Sequence, residues 1–168
     1  MTALRPQIAS IFSERSRVLY GSMASRKRIK DAGGLPFELA SFRDWLMVTL
    51  GGEEGVVKCS YCNLWLNIAT IVPDHKIPLA RGTNSVSIRI LAGLVNLAPS
   101  CAVCNRRKGS TTAEGFIKLV EFMVANLEPA DVSDIFSRLA TGGEGAKMLW
   151  KRQSKGSNWK SKPKGGLF

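Results

Sequence analysis

The sequence has no apolar run long enough to cross a bilayer. Its longest stretch without a charged residue, Ile90 to Asn105, includes Asn, Ser and Pro and falls short of the ~20 apolar residues that a spanning helix needs. Nor does it have the uninterrupted apolar region of a secretory signal, because Arg5, Glu14, Arg15 and Arg17 interrupt the start of the chain. Together these absences lead to the expectation of an intracellular, cytoplasmic protein with no membrane partner. Acidic residues are scarce, 13 against 24 Lys and Arg, which leaves a formal charge of +11. Such a field attracts polyanions, of which nucleic acid is the commonest, although basic ribosomal and membrane-surface proteins share it. Histidine occurs once and cysteine four times, so chemistry based on either comes from few positions.

At 168 residues and 45% hydrophobic, the chain suffices for one compact core with appendages. From Arg5 to Ile29 the apolar residues Ile8, Ile11, Phe12, Val18, Leu19 and Met23 recur at helical spacing, predicting a helix that ends near Gly33-Gly34. Its other face carries Arg26, Lys27 and Arg28 among further basic residues, either as a solvated face or as a surface for DNA. Ser41 is expected to cap a short helix with Phe42, Trp45 and Leu46 inward, closed by Gly51-Gly52. Thr111 and Glu114 have capping-box spacing before a helix through Phe116, Val120 and Met123. Asp131 is expected to cap one more short helix. From Lys151 to Phe168 there is no acidic residue, and Lys151, Arg152 and Lys160 belong to a basic tail suited to sequence-independent phosphate contacts. The resulting division is 1–52 helical and basic, 53–127 the chemical centre, 128–150 helical, and 151–168 tail.

The cysteines form two C-x-x-C pairs, Cys59/Cys62 and Cys101/Cys104, with none left over. Two intervening residues let one turn present both sulfurs to the same ion, and two such turns complete the four-thiolate tetrahedron that zinc favours. A disulfide framework suits a secreted chain better, and a thioredoxin-like motif leaves the second pair unexplained. Four thiolates fill the shell of zinc, so this metal would be structural. Between the pairs lies Val72-Pro73-Asp74-His75-Lys76-Ile77-Pro78-Leu79, with the single histidine. Asn96-Leu97 precedes the second pair, and Asn105-Arg106-Arg107-Lys108-Gly109 follows it.

This arrangement resembles the HNH endonuclease family in its zinc-knuckle form, in which C-x-x-C, D-H-x-x-P-L, N-L and C-x-x-C-N-x-x-K-G follow one another. The resemblance spans roughly fifty residues, about a third of the chain. It implies an α+β fold with a ββα-metal core, a four-cysteine structural zinc, and flanking N-terminal and C-terminal helices. It further implies hydrolysis of phosphodiester bonds in DNA, with His75 as general base, Asp74 and Asn105 as ligands of a catalytic magnesium or manganese ion, and Asn96 orienting the histidine region. Lys108 occupies the family's lysine position, near the phosphate, while Arg106 and Arg107 would bind flanking phosphates. Double-stranded DNA is the partner this implies, and analogy with small free-standing members suggests a phage or mobile-intron enzyme. The sequence departs from the pattern in having Asn105 where some relatives carry His, Pro73 directly before Asp74, and a longer segment from Gly82 to Val95 that could meet the substrate. The alternative is a zinc-containing module that binds DNA or RNA without cutting it.

Overall fold

A computed structural model describes residues 6–52, 55–128 and 130–131 of the chain. The fold is mixed α+β. Helices α1 (Pro6–Ala24), α2 (Lys27–Asp31) and α3 (Leu39–Thr49) come first. Strands β1 (Val56–Lys58), β2 (Trp65–Asn67) and β3 (Val72–His75) follow, then α4 (Ser85–Leu91), β4 (Leu97–Ser100), α5 (Ala102–Lys108) and α6 (Ala113–Asn126). The expected helix and tail beyond Asp131, including Lys151, Arg152 and Lys160, lie outside the described residues. Among the described residues, no helix is long and apolar enough to cross a membrane.

The N-terminal helical stripe is divided between two helices. Arg26 is extended, at φ −63° and ψ 128°, and separates α1 from α2. Leu19 and Met23 then pack with Phe42, Leu46 and Leu50 of the α3 region, while Ile29 enters a second small cluster with Leu79 and Ala92. Burying Ile29 at a separate place is what the break achieves. Helix α3 begins two residues before Ser41, with Glu38 in the cap position, so Ser41 lies inside the helix. Gly51 and Gly52 close it as expected, both with positive φ, which glycine tolerates without the steric cost other residues incur. The cap of α6 is Thr112, whose hydroxyl accepts from the Gly115 amide at 3.2 Å; the expected cap, Thr111, lies one residue too early. Glu114 pairs instead with Lys118 on the exposed face.

Two small antiparallel sheets carry the centre of the chain. In the first, Val57 faces Leu66, and the turn between β1 and β2 is the first C-x-x-C. The amide of Cys59 donates to the Leu64 carbonyl at 2.8 Å, and Asn63 takes a left-handed conformation at φ 59° to close the turn. In the second sheet, Asp74 faces Ala98 and His75 faces Leu97. Pro73 lies opposite Pro99, a pairing that suits two residues without an N–H because alternate antiparallel positions exchange no hydrogen bonds. The Pro99 carbonyl instead accepts from the Ser60 amide at 2.9 Å, tying the first turn to β4. Pro73 thus leaves the strand that carries Asp74 and His75 intact. Segment 82–95 is largely helical: Asn84 and Ser87 form a reciprocal capping box at the start of α4.

The main core joins these parts. Leu19, Met23, Phe42 and Leu46 share one buried cluster with Leu66, Ile71, Leu97, Phe116 and three of the cysteines.

Candidate functional site

The β1–β2 turn and the start of α5 bring the four cysteines together. Their sulfurs all lie within 4.8 Å of one another, with Cys62 and Cys101 at 3.9 Å. At the ~2.3 Å zinc–sulfur bond length, a regular tetrahedron places its sulfurs ~3.8 Å apart. Cys59, Cys62, Cys101 and Cys104 could therefore hold a metal ion such as zinc. None of the four is in a disulfide. The Cys101 amide donates to the Cys59 sulfur at 3.4 Å and the Cys104 amide to the Cys101 sulfur at 3.3 Å. Burial raises the Cys59 thiol, but amide donors at Tyr61, Cys101 and Cys62 outweigh it and leave the group below its usual range, favouring the thiolate that binds metal. Burial pushes Cys104 up.

A second group lies alongside. A pocket of about 220 Å³ is lined by Arg26, Asp74, His75, Asn105 and Lys108, together with residues 78–80 and 109–110. Strand β3 supplies Asp74 and His75, α5 supplies Asn105 and Lys108, and the α1–α2 junction supplies Arg26. The two ends of the C-x-x-C-N-x-x-K run thus serve different sites, cysteines in one and Asn105 with Lys108 in the other.

Asp74 is held from two sides. The Tyr61 hydroxyl donates to its Oδ2 at 2.5 Å, and Lys108 Nζ lies 3.3 Å from the same oxygen. Both charged groups are nearly sealed from solvent, Asp74 at 6% and Lys108 at 2% exposure, which rules out a solvated face for Lys108. Lys108 also donates to the Thr111 carbonyl at 2.9 Å. Burial raises the Asp74 carboxyl and lowers the Lys108 ammonium, while their attraction and the Tyr61 hydrogen bond act the other way. Burial, then the bond to Asp74, pushes the Tyr61 phenol up and keeps it a donor. Removing one member of a buried pair leaves the other uncompensated, so Lys108→Met is expected to cost roughly 3 kcal/mol. A urea titration checks this; a midpoint like that of the wild type contradicts the pairing.

His75 is buried, and Arg26 Nη1 donates to its Nδ1 at 3.2 Å. Because guanidinium only donates, Nδ1 is the acceptor, and the neutral ring carries its proton on Nε2. Among the described residues, buried Nε2 has no hydrogen-bond partner. Burial, then the charges of Arg26 and Lys108, lowers the imidazole to about 4, so the ring is a neutral base at physiological pH. Asn96 stands outside the pocket. It accepts from the Ile77 amide at 2.9 Å and donates to the Ile77 carbonyl at 2.8 Å and to Leu91 at 2.6 Å. It thereby fixes the chain two residues beyond His75.

The remaining basic residues separate. Arg28 donates to the carbonyls of Leu79 and Gly82, and Lys27 pairs with Asp31 on the surface. Arg106 is exposed and Arg107 half-buried, and neither lines this pocket. Two contributors were not anticipated in these roles: Tyr61, from inside the first cysteine pair, and Arg26, which approaches His75. No family model, curated protein or solved structure matches the chain.

Proposed function

We propose that this chain is a metal-dependent endonuclease that hydrolyses phosphodiester bonds in DNA, with β3, β4 and α5 as a ββα core of the HNH type. The observation that carries the reading is the meeting of Asp74, His75, Asn105 and Lys108 in one pocket beside a four-cysteine cluster. In this reading the cysteines hold a structural zinc. Asp74 and Asn105 offer hard oxygen donors from two elements, a set that suits magnesium or manganese and leaves room for phosphate and water. The chemistry a divalent ion supplies in such a place is polarisation of the phosphate and stabilisation of the departing 3′ oxygen.

The chain's own residues do the rest. His75 takes a proton from the attacking water as its oxygen bonds to phosphorus, and the bond from phosphorus to the 3′ oxygen breaks. That oxygen leaves and takes a proton from solvent water, giving 5′-phosphate and 3′-hydroxyl ends. Asn96 keeps the chain beyond His75 in place. Lys108 and Tyr61 hold the Asp74 carboxylate in one orientation. The positive charge of the chain draws in the DNA backbone.

Supercoiled plasmid tests the proposal. It should be nicked or linearised only when magnesium or manganese is added, with the protein's zinc content unchanged. Binding without cleavage under every cation condition makes the chain a non-catalytic DNA- or RNA-binding module instead.

Tyr61→Phe gives a finer check. The ring still packs edge-on against Phe116, 5.4 Å between centroids, but the donor to Asp74 is gone. Losing a partner behind a metal ligand typically costs about 10–100-fold in metal affinity or activity. The magnesium concentration for half-maximal cleavage should rise at least tenfold. An unchanged magnesium titration removes Tyr61 from this role.

A further inference from the structure

Resting on the nuclease reading, the geometry points to Arg26 as the residue that grips the substrate's phosphodiester group, and to that grip as what frees His75 Nδ1. Arg26 lies in the pocket lining and is itself exposed, so its guanidinium is open to an incoming anion. It reaches His75 because the extended backbone at residue 26 interrupts the helix there. In the structure, its Nη1 donates to Nδ1 at 3.2 Å. A lone pair engaged by a donor cannot accept a proton from water. His75 has no second nitrogen to offer, since Nε2 is buried.

The bond between Arg26 and the imidazole joins a cation to a neutral ring. A phosphodiester offers the same guanidinium a full negative charge and two oxygens in a matching fork, which makes the stronger bond. When a phosphate enters, Arg26 exchanges the ring for the anion. One hydrogen bond is replaced by another, no covalent bond changes, and Nδ1 is left facing the pocket. The base is thereby exposed only when a phosphodiester is present.

His75 is the single histidine, so its ring nitrogens give unambiguous 15N resonances. The experiment records them at fixed pH for the full chain, with and without a short DNA duplex and no added divalent cation. In wild type the duplex should move the Nδ1 resonance toward that of a nitrogen without a donor. Arg26→Ala should start at that position and not respond further. Arg26→Lys, which keeps the charge and loses the fork, should respond only in part. In cleavage assays Arg26→Ala should raise KM roughly tenfold or more, as expected for a lost charged hydrogen bond, with kcat changed much less. A duplex that binds wild type without moving Nδ1, or an Arg26→Ala spectrum identical to that of wild type, overturns the inference. The outcomes also separate the two readings. If plasmid is never cut yet the duplex frees Nδ1, the grip by Arg26 stands and the nuclease reading falls. If cleavage is normal and Nδ1 ignores the duplex, the reverse holds.

Discussion

Cys59→Ser and Cys101→Ser are expected to unfold the core and release zinc. In small peptides structural zinc contributes about 10 kcal/mol or more, as much as the ~5–15 kcal/mol total stability of a domain. Here the cluster joins the β1–β2 turn to the start of α5, segments far apart in sequence. Cys59, Cys101 and Cys104 also belong to the main buried cluster, beside Phe42, Leu66 and Phe116. Losing one sulfur therefore removes a ligand and opens the core at the same place. Cys62 is exposed, so Cys62→Ser loses a ligand with little packing and should be milder than Cys59→Ser. Thermal melts with metal analysis on each variant check the order. A Cys59→Ser protein that melts like wild type, or wild type purified without zinc, contradicts this account.

His75→Ala is expected to lower the cleavage rate by about 10²–10⁴-fold, the usual contribution of a general base, while DNA binding is kept. The fold should tolerate the change. The substitution leaves space where the ring was, but it also removes Nε2, a buried donor without a partner among the described residues, and the two effects oppose each other. Arg26 loses its acceptor but is exposed and can turn to water. A stability measurement beside the rate separates loss of the base from loss of structure.

Local chemistry made much of this site readable from the sequence. Each C-x-x-C needs only one turn to bring its own two sulfurs together, and the fold then sets the two pairs side by side. Asp74 and His75 were legible as neighbours, and Asn105 and Lys108 follow the second pair closely enough to share its helix. Residues whose role depends on long-range contact were not legible. Tyr61 reads as a spacer between cysteines until the fold sets it against Asp74, and an aromatic residue inside a C-x-x-C is the only local hint. Arg26 reads as one basic residue of several on a continuous helix, since the apolar spacing runs on to Ile29 and neither Ser25 nor Arg26, where the break falls, is a Gly or Pro. The break comes from tertiary packing, which draws Ile29 toward Leu79 and Ala92. The Thr111 cap failed for a smaller reason: spacing alone does not choose between two adjacent threonines, and Thr112 is the one whose hydroxyl accepts from the helix.

The most direct measurement of the central claim sets wild type beside His75→Ala on supercoiled plasmid in magnesium, with DNA affinity measured for both. The account predicts that wild type cuts and that the variant binds equally well but leaves the plasmid intact. A variant that cuts as fast as wild type, or a wild type that cuts nothing, contradicts it.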